Sequence, residues 1–222
     1  MLVYFTDNDL ILKLAAYQLF WEMVASLNVK EDNIRILPTA GKVFSSSQKI
    51  SRQFKPTSIE RAKQIANQCK KIDETSITDQ LELQSLASSD GIDVGEALLV
   101  AATQTEKDFY LLTSDKRFLK ALAASSFHQV KQRLNKRAIC LEQVLIHVIN
   151  FTGYEKVCRR IASADACDQV ISEAFSLGRK TPQQDAVRVL NEAIQQLRIK
   201  TGNLLVDAIL TSQCSTIYSP DT

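Results

Sequence analysis

Asp7, Glu96 and Asp115 stand far apart in the chain, yet each sits where a helical period begins, with Asp9 and Asp93 close beside them. Carboxylates brought together repel one another, and some take up protons unless a cation neutralises them. An all-oxygen set of this kind suits Mg²⁺ or Mn²⁺, which retain several waters of their own. A cation so held can turn a bound water into a nucleophile and steady charge on a phosphodiester during in-line displacement. That chemistry is open to these acids only if the fold gathers them.

The elements that would do so can be read from hydrophobic periodicity. Residues 2–6 are apolar and partly β-branched, end at Asp7, and read as a buried strand. Leu10, Leu14, Tyr17, Trp21 and Val24 recur at steps of three and four, which predicts one amphipathic helix over 10–27. A short strand over 33–37 stops at Pro38, and the Ser- and Lys-rich stretch 41–54 shows no period. Pro56-Thr57-Ser58 opens a helix running to about residue 72 with Ser58 as its cap, and a further helix covers 77–87. Asp93-Val94-Gly95-Glu96 starts an Ala- and Leu-rich helix, followed by a strand at 108–113 and a helix at 116–124. A last strand at 136–141 leads into a helix over 142–150.

Strands alternating with helices imply an α/β fold: a parallel, Rossmann-like sheet between two helical layers, spanning residues 1–150. In such a sheet every strand ends on the same edge, and ligands bind in the crevice there. Asp7 follows the first strand, Asp115 follows the strand at 108–113, and Glu96 begins the helix feeding that strand. Topology alone therefore carries all three to one rim.

Beyond Gly153 no strand signal remains, so 151–222 is expected to be a helical extension. Helices are expected over 154–163, 165–177 and 182–200, with Gly178 and Gly202 as stops and a short helix at 204–212. Thr181-Pro182-Gln183-Gln184 reads as a capping Thr, Pro at the first helical position and Gln at the third. Asp165-Ala166-Cys167-Asp168 reads as a helix start. The extension either covers the flank of the domain or docks a protein partner or a second copy.

Composition narrows the class. At 222 residues with 45% hydrophobic and 23% charged residues, the chain is of ordinary globular make-up. No apolar run approaches the roughly 18–20 residues that cross a bilayer, and the N-terminus lacks a basic leader region, so no membrane partner and a cytoplasmic location are expected. Five scattered cysteines form no CxxC pair, which supports neither a zinc site nor a disulfide framework and fits reduced, buried thiols. His128 and His147 have no metal-ligand spacing, and no Gly-rich phosphate loop is present.

Net charge is only +2, but it is segregated: residues 42–71 carry eight Lys or Arg against one acid, and 116–137 carry seven against none. Lys42, Lys49, Arg52, Lys116, Arg117, Lys131 and Arg133 are the candidate contacts to a phosphate backbone, an interaction that weakens as salt rises. The same side chains also suit solvated helix faces. Each acid likewise has a plainer role. Asp93-x-x-Glu96 fits a capping box, Asp7 or Asp9 could cap the first helix, and Asp115 the next. Capping and metal binding are compatible.

Three stretches together resemble the PIN-domain ribonuclease family over about residues 1–150. Tyr4-Phe5-Thr6-Asp7-Asn8-Asp9-Leu10-Ile11 is similar to its opening strand and first acidic motif, with Asp9 where the family usually has Asn or Ser. Asp93-Val94-Gly95-Glu96-Ala97 resembles its acidic helix start, and Leu111-Leu112-Thr113-Ser114-Asp115 its strand-Thr-x-Asp motif. The resemblance implies Asp7, Glu96 and Asp115 as metal ligands, Asp9 and Asp93 as auxiliary acids and Thr113 as a supporting hydroxyl. It also implies Mg²⁺- or Mn²⁺-dependent endoribonuclease activity on single-stranded or structured RNA; many relatives are toxins paired with antitoxins. The chain departs from the pattern at Pro38-Thr39-Ala40-Gly41-Lys42-Val43, where the family commonly places a further Glu. Either Asp9 stands in for it, or the site holds one ion instead of two. The competing class is a non-catalytic module whose acids only cap and whose helices bind protein, and a third is a DNA or flap-type nuclease.

Overall fold

The computed structural model describes residues 1–209. Its centre is a five-stranded, wholly parallel sheet: β1 (Val3–Thr6), β2 (Ile34–Ile36), β3 (Lys70–Lys71), β4 (Phe109–Thr113) and β5 (Ala138–Cys140), in the order β3-β2-β1-β4-β5. The helices are α1 (Asn8–Tyr17), α2 (Phe20–Ser26), α3 (Ala40–Ser46), α4 (Gln48–Gln53), α5 (Pro56–Gln68), α6 (Gln80–Ala87), α7 (Val94–Ala102) and α8 (Lys116–Ala124). They continue with α9 (His128–Arg133), α10 (Leu141–Thr152), α11 (Tyr154–Ala162), α12 (Gln169–Ala174) and α13 (Gln183–Thr201).

The two-residue period of the strands divides the core into two layers. Tyr4, Ile34, Ile36, Leu112 and Ile139 face one side and pack with Leu14 of α1, Ile65 of α5 and Val148 of α10. Val3, Phe5, Phe109, Leu111 and Ala138 face the other and meet Val100 of α7 and Leu119 and Leu122 of α8. A parallel sheet covered on both faces needs such near-continuous apolar strands, which is why β1 and β4 were plain in the sequence.

Several expected elements differ. The helix over 10–27 is two helices. Gln18 takes a left-handed conformation (φ 57°), and the Leu19 N–H reaches back to the Leu14 carbonyl at 2.8 Å, closing α1. The apolar period runs straight through this break and hides it, and Trp21 is left 36% exposed. The stretch 41–54 forms α3 and α4. Ser58 lies inside α5, whose first residue is Pro56, and the chain leaves that helix at Cys69 to form β3, so it does not run to 72. The helix expected over 77–87 begins only at Gln80, capped by Asp79.

In the extension, 165–177 shrinks to α12, because Asp165 is spent on the Lys55 N–H (3.0 Å) and the Ser58 hydroxyl (3.1 Å) while Asp168 supplies the cap. Pro182, not Thr181, precedes α13; the Thr181 hydroxyl instead accepts from the Leu177 N–H at 3.1 Å. The helix expected over 204–212 fails where it can be followed. Residues 204–206 run extended beside β5, with Ala138 N–H to Leu204 O and Val206 N–H to Ala138 O both at 2.9 Å, and the rest of that span lies outside the described residues. These bonds occupy the open edge of β5.

The extension continues the two cores: Ile161, Ile171, Phe175 and Leu190 join the first, and Ile194 and Leu197 the second. No helix among the described residues is long and apolar enough to cross a membrane. Cys69, Cys140, Cys158 and Cys167 are buried, unpaired thiols, and Cys214 lies outside the described residues.

Candidate functional site

All five acids singled out in the sequence line one cleft of about 830 Å³ at the carboxyl ends of the strands. Asp7 directly follows the last residue of β1 and is buried. Its Oδ1 accepts the Leu10 N–H (2.5 Å), capping α1, and its Oδ2 accepts the Thr113 hydroxyl and the Ser114 N–H (3.1 Å). Thr113, fully buried at the end of β4, turns its oxygen to accept the Asp115 N–H at 3.0 Å. One hydroxyl thereby sets the spacing of the first and last acids. Asp115 Oδ1 caps α8 through the N–H groups of Arg117 (2.7 Å) and Phe118 (3.1 Å), while its Oδ2 meets the Arg117 guanidinium at 3.1 Å.

Asp93 and Glu96 form the reciprocal capping box of α7, both bonds at 2.8 Å. Gly95 between them sits in a crowded spot: a Cβ there would stand 2.9 Å from Leu37 Cδ1, just past β2, and would make that side chain shift. Asp9 Oδ2 accepts the Ser114 hydroxyl at 2.7 Å. The capping roles anticipated for these acids are therefore all present. Among the described residues no three acid, histidine or cysteine side chains are grouped closely enough to grip an ion between them.

The electrostatics of the cleft are uneven. Burial, with the Asp9 charge added and against the Thr113, Leu10 and Ser114 bonds, pushes the Asp7 carboxyl up to about 7. Burial, helped by the charges of Asp93, Asp115 and Asp7 and opposed by the Asp93 N–H, pushes Glu96 up to about 8. Asp115 goes the other way: burial would raise it, but bonds from Arg117 and Phe118 hold it below the ordinary carboxylate range. The Asp7–Glu96 side is thus short of positive charge. An oxygen-only donor set in that condition fits a hard divalent cation.

Of the seven basic candidates, Lys49 and Arg117 line the cleft, and Lys42 and Arg52 lie exposed on the helices that wall it. The other three are occupied elsewhere. Lys116 pairs with the buried carboxylate of Glu142, Lys131 donates to the carbonyls of Ala123 (3.3 Å) and Ser125 (2.6 Å) at the end of α8, and Arg133 grips Glu82 at 2.5 and 3.1 Å. Lys116 and Arg133 take their acids from outside 116–137, and Lys131 is held by backbone carbonyls within it. A role for Lys49 in holding a phosphate backbone predicts that Lys49→Ala weakens RNA binding uniformly across sequences and reduces the salt slope of log affinity by about 1. A filter-binding salt titration measures both, and an unchanged slope removes Lys49 from the interface.

Two residues of the cleft region escaped the sequence reading. Lys13, one turn beyond Asp9, projects among the acids; its spacing of four from Asp9 was the available signal. Asp168 reaches Lys13 from 155 residues away, and nothing in the sequence announces that contact. Cys167 beside it also lines the cleft. No family model, curated protein or solved structure matches this chain.

Proposed function

We propose that this protein is a PIN-like, divalent-metal-dependent endoribonuclease. The observation that carries the reading is the convergence of Asp7, Asp9, Asp93, Glu96 and Asp115 on one cleft at the ligand edge of a parallel sheet. Asp7, Glu96 and Asp115 would hold Mg²⁺ or Mn²⁺, with Asp9 and Asp93 at the margin. The bound ion would supply an activated water and charge stabilisation at the phosphodiester. Thr113 keeps Asp7 and Asp115 in register, and Lys49 and Arg117 hold the backbone phosphates. RNA as the substrate, and a reducing cytoplasm as its setting, belong to the same proposal; the second is supported by the unpaired thiols.

Cleavage of a labelled single-stranded RNA in Mg²⁺ or Mn²⁺, abolished by a chelator and absent on duplex DNA, is the expected result. The capping-only reading is favoured by the lack of a tight three-ligand group among the described residues. RNA left intact under all metal conditions decides for that reading.

Metal binding should also depend on pH with a definite sign. Asp7 and Glu96 have raised values, so in the absence of a cation their contribution to stability is greatest when both are protonated. It is lost as pH rises through about 7 and about 8. An ion relieves that loss, and protons compete with it. At about 100 times its Kd, Mg²⁺ should add roughly 2.7 kcal/mol, or about 5–10 °C in Tm, at pH 8.5. Much less is expected at pH 5.5. A shift equal at both pH values contradicts binding at these carboxyls.

A further inference from the structure

The Lys13 ammonium lies inside the cleft with its side chain only 9% exposed, 2.8 Å from Asp9 Oδ2 and 2.9 Å from Asp168 Oδ2. Asp168, the cap of α12, is 10% exposed and belongs to the helical extension. From Lys13 the contacts run inward: the same Asp9 oxygen takes the Ser114 hydroxyl at 2.7 Å, and the Ser114 N–H reaches Asp7 at 3.1 Å.

We propose that Lys13 is a built-in cation that fills the position a second divalent ion would otherwise take, so that the cleft binds a single Mg²⁺ or Mn²⁺. That ion sits at the Asp7, Glu96 and Asp115 end, and the extension sets the number through Asp168. The inference rests on the metal reading above and deepens it. Two carboxylate oxygens already face one point from less than 3 Å. Mg²⁺ binds such oxygens at about 2.0–2.1 Å, so each would move inward by under about 1 Å to hold an ion in place of the ammonium.

Asp9 is also partly committed. Its Oδ2 is shared between Lys13 and Ser114, which leaves only Oδ1 to stand in for the acid that Pro38-Thr39-Ala40-Gly41-Lys42-Val43 lacks. From the start of α3 the cleft is lined by Thr39 and Val43, not by a carboxylate. Of the two alternatives the sequence left open, the geometry points to one ion. Lys13 and Asp168 act here as positioning residues, through Asp9 and Ser114.

Counting Mn²⁺ bound per full-length chain, by the spin-resonance signal of the ion left free, tests this without reference to cleavage. Wild type and Lys13→Arg should each bind one ion. Lys13→Ala, which empties the space between Asp9 and Asp168, should bind two, and Lys13→Ala/Asp168→Asn should return to one. Two ions in wild type, or one in a Lys13→Ala protein with a wild-type circular dichroism spectrum, overturns the proposal. If Lys13→Ala does not fold, the wild-type count decides: one supports the proposal and two rejects it. No ion bound by wild type rejects the metal reading itself, and this inference with it.

Discussion

On the proposed nuclease reading, Asp115→Asn and Glu96→Gln are expected to fold like the wild type and to cleave RNA at least about 100-fold more slowly. The loss is on the scale of removing one preorganised electrostatic group from an active site. These two substitutions separate roles that coincide in the structure. Asn caps a helix as well as Asp does, so the bonds from the Arg117 and Phe118 N–H groups to position 115 survive the change. Gln completes a capping box as well as Glu, so the Asp93 N–H keeps its acceptor. Charge is what disappears. Thermal melting should show both variants folded, with Glu96→Gln at least as stable as wild type near neutral pH, because it removes a carboxyl that burial holds well above its ordinary value. Single-turnover cleavage should then collapse. Wild-type rates in both variants would mean that these acids are caps and nothing more.

The largest stability effect is expected at Asp168. Asp168→Asn should retain the cap on the Ile171 N–H and still destabilise the fold by about 3 kcal/mol, the lower end of the range for stripping one partner from a buried ion pair. The lower end applies because Asp9 remains beside Lys13. Lys13→Met/Asp168→Asn should cost less than the sum of its single changes, since the charges then leave together. The effect has a pH signature. Burial would raise the Asp168 carboxyl, but the Lys13 ammonium holds it below the ordinary 3.8. A depressed acid stabilises above its unfolded value and loses that contribution as pH falls through the lower folded one. The gap between wild type and Asp168→Asn should be complete at neutrality and close toward pH 3. Denaturant midpoints at both pH values measure it, and a gap that widens in acid refutes the pairing.

Legibility in the sequence followed the range of the interaction. β1, α7, β4 and β5 stand close to where the periodicity put them, because strands buried on both faces and capped helices write their pattern locally. Asp7, Glu96 and Asp115 reach one cleft because parallel topology leaves them no other edge. The misreadings arose where tertiary contacts outweighed local pattern. The break at Gln18 keeps the apolar period intact on both sides, and residues 204–206 pair with β5 despite their helical look. Asp165 and Asp168 appeared as one helix start, although only Asp168 caps and each also binds a cation from the first third of the chain. Lys116, Lys131 and Arg133 looked available for phosphate because their partners were invisible from the local charge count.

The clasp between Lys13 and Asp168 also imposes an order of events on biosynthesis. Domains emerge from the ribosome N-terminus first, at about 5–20 residues per second. Lys13 therefore waits, with only Asp9 for company, until residues more than 150 positions later have left the exit tunnel. A nascent chain carrying every acid of the cleft would still lack the contact that completes its charge balance.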